Sequence, residues 1–238
     1  MSARHVAVLA VRPGDGEDGA RPDTERQRGG GAGAGGGRGV VPPGGEALAP
    51  PGIAPGEFRL ALLEDTYEVA AGLDLVTPVL VLDPPDQPEA EAITWPGTPI
   101  VREPTLAGAY AALHDLGATE AVLLAPDAPD LPPLLIGKLF RALGRAPASA
   151  CQADGGGLVA LAARLPLPDW LAVALKDVDL DTPDALARLR AAAPRPGLIP
   201  QGPGWHRLRT PSDVELLDPG LEGWENTRAL LEGRPLGY

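Results

Sequence analysis

The sequence predicts an α/β protein on a mostly parallel, three-layer sheet. Two patterns carry this: continuous apolar runs, as expected of strands covered on both faces, and helical patterns of ten to fourteen residues set between them. Its 238 residues, 44% of them apolar, suffice for one large domain with a real core.

"HVAVLAV", residues 5–11, is the first buried strand, ended by Arg-Pro-Gly. From Arg12 to Gly56 the character changes: 15 Gly and 7 Pro fall in 45 residues, without an aromatic. Too little apolar surface exists there to offset the entropy of ordering, so 12–56 is predicted to be a disordered insertion. Order resumes at "EFRLALLEDTYEVAAGLD", where Leu60, Leu63, Tyr67 and Ala70 or Ala71 recur at helical spacing and Gly72 closes the helix. "TPVLVLDP" is a second buried strand over 77–82, and "GTPIVRE" a shorter third. "TLAGAYAALHDLGA" puts Leu106, Ala109, Tyr110 and Leu113 on one helical face, and "EAVLLA", 120–125, is the next strand.

"APDAPDLPPLL" then leads into a helix, followed by a strand at 148–153. "GLVALAA", 157–163, either pairs with that strand or lies at the sheet edge. "DTPDALARLRAAA" is a helix with Thr182 as N-cap and Pro183 in its first position, and "RTPSDVELL" repeats that chemistry with Thr210, Pro211 and Asp213. "WENTRALLEG" is a last short helix. Residues 1–194 thus form the predicted α/β domain, and 195–238 an extension packed on it that either covers the sheet or mediates a homodimer.

Thirty-two acidic against 20 basic residues give a formal charge of −12, which disfavours nucleic acid and anionic membrane as partners. The N-terminal apolar run is too short for a signal or a membrane span, so the chain reads as unexported. Cys151 is the single cysteine, consistent with a reducing cytoplasm. His5, His114 and His206 show no metal spacing.

Three acidic motifs are candidates for chemistry. In an open parallel sheet ligands sit beyond the carboxyl ends of strands, where Asp127 falls. A carboxylate held there among prolines suits Mg²⁺ bridging to phosphates, and equally an N-cap or Asx-turn. Asp130 stands directly before "LPPLL" and reads as a helix cap. Asp154 with Gly155 and Gly156 forms a turn whose backbone a ligand can approach, or a plain hairpin turn. Asp177, Asp179 and Asp181 alternate, so an extended segment would point them the same way. Trp205 is either a stacking platform or an anchor for the extension.

In order, "APDAPDLP", "DGGG" and "DLDTPDAL" resemble the "GxDxPdLp", "DGGY" and "DxDTPEDL" motifs of small bacterial glycosyltransferase-like proteins of the nucleotide-diphospho-sugar transferase superfamily. The molybdenum-cofactor and phospholactate guanylyltransferases are more distant relatives of that family. "LLEDT" in the first helix is also similar. The resemblance spans roughly residues 57–190 plus the first strand. It implies a GT-A, Rossmann-like fold binding a nucleoside triphosphate or nucleotide sugar through Mg²⁺ or Mn²⁺, with Asp127 and Asp181 as metal ligands and catalytic residues. Arg12, Pro13 and Gly14 would contact the nucleotide, and Asp154, Gly155 and Gly156 a small-molecule acceptor. Two departures stand out: the first loop lacks the family's phosphate-gripping lysine, and Gly157 replaces a frequent aromatic. The resemblance therefore implies a metal-dependent nucleotidyl- or glycosyl-transferase, with a catalytically inactive binding or scaffolding module as the alternative.

Overall fold

The computed structural model describes residues 3–11 and 49–234. The expected sheet is present. Six strands, β1 (Arg4–Val11), β2 (Thr77–Asp83), β3 (Ile100–Arg102), β4 (Glu120–Leu124), β5 (Ala148–Gln152) and β6 (Leu158–Arg164), lie in the order β3-β2-β1-β4-β6-β5. Pairs β1–β2, β1–β4 and β2–β3 are parallel, and β6 runs antiparallel to both β4 and β5. The run at 157–163 is therefore an internal strand that pairs with β5. It is buried at every position from Leu158 to Ala163.

Alternation along the strands builds the two halves of the core. Ala7 and Leu9, Val79 and Val81, and Ala121 and Leu123 face the layer of α3 (Leu106–Asp115), α5 (Asp169–Ala174) and α6 (Ala185–Ala192). Val6 and Val8, Leu80 and Leu82, and Val122 and Leu124 face α1 (Pro55–Ala71), α2 (Pro88–Ala92) and α4 (Pro133–Leu143). Within these layers Tyr67 and Tyr110 are wholly buried, and the Tyr110 hydroxyl donates to the Leu161 carbonyl at 2.6 Å.

Helix α1 begins at Pro55, two residues before the order expected from the sequence, because a proline suits the first helical turn. Residues 12–48 lie outside the described residues, and with them most of the segment expected to be disordered. The helix expected to start at Pro183 starts two residues later at Ala185, because Asp179 takes the Thr182 N–H and hydroxyl for a turn of its own. The same chemistry does form at Thr210, where Asp213 and Thr210 make a reciprocal capping box on a short 3₁₀ segment.

Residues beyond 195 pack on the sheet. Backbone bonds link Ala150 to Pro200 and Gly202, and Gln152 and Asp154 to Trp205, so this segment runs beside β5 and satisfies its otherwise open edge. The last described helix, α7 (Glu225–Leu231), packs against α1. There the buried Asp65 carboxylate accepts the backbone N–H groups of Asn226 and Thr227 at 3.0 and 2.7 Å. Among the described residues no helix is long and apolar enough to cross a membrane.

Candidate functional site

The three acidic motifs converge at one end of the sheet. Strands β1 and β4 both finish there, and because β6 is antiparallel, the turn joining β5 to β6 lies at the same end. Asp127 follows β4. The turn Ala153–Gly157 docks on the loop before α6 through Gly157 N–H to Pro183 carbonyl, 2.9 Å, and Leu158 N–H to Leu180 carbonyl, 2.8 Å. Arg12, Pro13 and Gly14 follow β1 in sequence but lie outside the described residues.

The glycines at 155, 156 and 157 all have positive φ, +81°, +108° and +76°, a backbone that L-residues adopt only with strain. Their surroundings differ. A Cβ at Gly155 would meet open space, at Gly156 the Pro183 carbonyl oxygen at 3.1 Å, and at Gly157 the Leu180 carbonyl oxygen at 2.5 Å and Arg209 Nη2 at 2.9 Å. Gly155 thus offers bare backbone beside an exposed Asp154. Gly156 and Gly157 serve the contact between turn and loop. The hairpin reading of "DGGG" is realised, since the turn joins β5 to the antiparallel β6.

Asp127 and Asp181 are brought together by Arg207. The guanidinium grips Asp127 bidentately, Nε to Oδ1 at 2.5 Å and Nη2 to Oδ2 at 3.0 Å. Its Nη1 lies 2.8 Å from Asp181 Oδ1 and donates to the carbonyls of Leu158 and Leu180 at 3.1 and 3.3 Å. Only 4% of this side chain is exposed, against 13% for Asp127 and 62% for Asp181. Burial by itself would lower the Arg207 pKa, but the Asp127 and Asp181 carboxylates outweigh it and raise the value, so the cation is permanent.

Arg209 stands beside this cluster, half-buried, donating from Nη1 to the Gly156 carbonyl at 2.8 Å. Its Nη2 is 3.5 Å from Asp181 Oδ1, an ion-pair distance, while Nε and Nη2 are enclosed without a hydrogen-bond partner. Burial and the neighbouring Arg207 charge lower its pKa, offset by Asp127, Asp181 and Asp213.

The two carboxylates that the resemblance marks as metal ligands thus have a guanidinium between them. Both oxygens of Asp127 are taken, and the two carboxylates face two arginines, so no net negative charge remains for a cation. Among the described residues no three His, Cys, Asp or Glu side chains gather as a metal cluster. Asp127, Asp181, Arg207 and Arg209 fit a protein-held Mg²⁺ or Mn²⁺ poorly.

Asp130 departs from its expected role. The residue before α4 is Pro132, with no side-chain cap. The fully buried Asp130 carboxylate instead accepts Trp205 Nε1–H at 3.0 Å and lies 2.9 Å from His206 Nε2. Trp205 is therefore an anchor of the extension and stacks on His206 with ring centres 4.8 Å apart. Asp179, expected to point with Asp181, stays exposed and instead accepts the Asp181 and Thr182 N–H groups of its own loop. Arg207 and Arg209 were missed by reasoning from acidic motifs. Their signal is the alternation in "HRLRT": in an extended segment both arginines share one side and Leu208 takes the other, where it is fully buried.

No family model matches the chain, and no curated protein matches it. Solved structures do. A "putative nucleotide-diphospho-sugar transferase" from Desulfovibrio desulfuricans G20 is 15% identical with a TM-score of 0.62, both chains covered in full. The 4-diphosphocytidyl-2C-methyl-D-erythritol synthase of Anaerococcus prevotii DSM 20548 is 11% identical, covering 97% of this chain and 96% of its own, with a TM-score of 0.52. A CMP:2-keto-3-deoxy-manno-octonic acid synthetase complexed with CTP is 13% identical, with 98% and 99% coverage and a TM-score of 0.51. At such identities the likeness is one of fold: this chain has a nucleotide-diphospho-sugar transferase-like, GT-A fold.

Proposed function

We propose that this protein binds a nucleoside triphosphate or nucleotide sugar at the carboxyl end of β1 and β4 and acts as a nucleotidyl- or glycosyl-transferase. The observation that carries the reading is the convergence of Asp127, Asp181 and the 153–157 turn on Arg207 and Arg209 at that end of a GT-A sheet. Structural neighbours that act on or hold cytidine nucleotides support the nucleotide half.

In this reading the half-buried Arg209 meets the phosphates, joined by Arg12, Pro13 and Gly14 from the loop after β1. The bare backbone at Gly155, with Gly156 next to it, and the exposed Asp154 line the side of a small-molecule acceptor. Asp127 and Asp181 act through Arg207, holding the site's charge in place. Rate enhancement comes from positioning and from charge already oriented toward the phosphates, with no covalent intermediate. The Mg²⁺ or Mn²⁺ that the resemblance implies would supply the same neutralisation in relatives. A cytoplasmic setting accords with the unpaired Cys151 thiol, which burial pushes up to about 12.

The occupied carboxylates also favour a second reading, a GT-A-fold binding module without catalysis. A thermal-shift panel of nucleotides and nucleotide sugars, paired with detection of released inorganic diphosphate for nucleotidyl transfer and of nucleoside mono- or diphosphate for glycosyl transfer, tests both. A ligand at about a hundred times its Kd stabilises by roughly 2.7 kcal/mol, and Arg209→Ala is expected to abolish that shift. A shift without turnover over a panel of sugar and alcohol acceptors supports the module; no shift with any nucleotide, with or without Mg²⁺, sinks both readings.

A further inference from the structure

We propose that Arg207 is a built-in counter-cation that takes the place of a divalent metal between Asp127 and Asp181, so that phosphate-bearing ligands bind here without a protein-held metal. The inference rests on the nucleotide reading for the ligand; the metal-binding experiment below does not depend on it.

The guanidinium matches the carboxylates in a way a displaced side chain would not. One planar edge is bidentate on Asp127, and the other faces Asp181 and two backbone carbonyls, so four of its five N–H donors are engaged within the protein. Moving it aside would take a donor from the Leu158 and Leu180 carbonyls and leave Asp127 uncompensated.

The backbone around Arg207 is also clamped. Leu208 N–H donates to the Asp127 carbonyl at 2.8 Å, so the segment is tied to the loop it neutralises. Just before it, Asp130 holds Trp205 and His206; just after it, the Asp213 carboxylate accepts the N–H groups of Arg209 and Thr210 at 2.8 and 2.7 Å. Two carboxylates and the Asp127 main-chain carbonyl, spaced along 205–210, therefore fix the position of one cation.

The charges divide the labour between the arginines. Arg207 is spent on Asp127 and Asp181, whereas Arg209, 31% exposed and paired with Asp181 only at 3.5 Å, keeps two nitrogens without hydrogen bonds and is the cation left to meet an anion. A divalent ion entering between the aspartates would sit against a permanent positive charge.

The test is Mn²⁺ titration of metal-free protein followed by electron paramagnetic resonance, with no nucleotide present. Wild type is expected to take up no Mn²⁺ below the millimolar range. Arg207→Met, its fold verified by circular dichroism, is expected to gain one Mn²⁺ site at least tenfold tighter, and Asp127→Asn in that background to lose it. Tight Mn²⁺ binding by wild type that Asp127→Asn removes would overturn the proposal, as would a folded Arg207→Met that gains no site. The wild-type titration decides by itself if Arg207→Met does not fold. Separately, any nucleotide that shifts the wild-type Tm is expected to do so equally in EDTA and in Mg²⁺. A shift seen only with metal counts against the counter-cation, whereas no shift in either condition counts against the nucleotide reading alone.

Discussion

At Gly157 two constraints coincide, a φ of +76° and a Cβ position 2.5 Å from the Leu180 carbonyl oxygen, whereas Gly155 has the first constraint and open space. The difference yields an ordering. Gly155→Ala is expected to cost about 1 kcal/mol, the penalty of a left-handed L-residue. Gly157→Ala is expected to cost roughly 3 kcal/mol, because the loop carrying Asp181 must shift as well. Urea denaturation of the two variants measures both, and equal losses would show that the turn does not brace the loop. The same crowding explains why this chain has no aromatic at 157: Arg209 fills that space. Cys151, the single cysteine, donates its thiol S–H to the Pro203 carbonyl at 2.9 Å and so belongs to the edge contact with the extension.

Among the elements, α1 links the site to the end of the chain. Within "LLEDT" two adjacent side chains point to different partners: Thr66 donates to the Pro126 carbonyl at 3.2 Å, beside Asp127, and Asp65 caps α7 from outside that helix. Burial pushes the Asp65 carboxyl up from 3.8 to about 7, against hydrogen bonds from Thr227 and Asn226 that favour the anion. The folded state therefore keeps the proton over a range in which the unfolded chain has released it. That contribution is fully present below about pH 4 and is lost as pH rises through about 7. Asp65→Asn cannot titrate, so the unfolding free energy of wild type is expected to fall relative to this variant between about pH 4 and about pH 7. A constant difference across that window would remove Asp65 as the source. Asp65→Ala, which strips the cap from α7 and cannot titrate either, is expected to cost about 2 kcal/mol below about pH 4 and progressively less as pH rises toward about 7.

For the whole molecule, the extension is the part that composition and motifs describe least. It pairs with the edge of β5, supplies Arg207 and Arg209, seats Trp205 on Asp130 and sends α7 onto α1. A chain ending at Pro194 is expected to lose cooperative unfolding and to aggregate, because it exposes the β5 edge and leaves Asp127 without its counter-charge. Size-exclusion chromatography and a urea transition check this; a monomeric, cooperatively folding 1–194 fragment would show those contacts to be dispensable.

The sheet, its parallel half and most helices were legible because they rest on local patterns: apolar runs over 5–11 and 120–125, the 3.6-residue recurrence of Leu106, Ala109, Tyr110 and Leu113, and the Thr-Pro cap at 210. The acidic motifs do gather at one end of the sheet, where Asp127 and Asp181 both reach Arg207. Sequence alone left undecided what lies between them. Asp130 looked like a cap by its neighbours and became an anchor because Trp205 and His206, 75 and 76 residues away, reach it. Thr182 looked like a cap and lost that role to Asp179. Arg207 joins Asp127 across 80 residues, and no periodicity records such a pairing. Local sequence determined the elements through backbone sterics and burial. Tertiary structure decided the partners of the charged side chains, because long-range contacts set which carboxylate meets which cation.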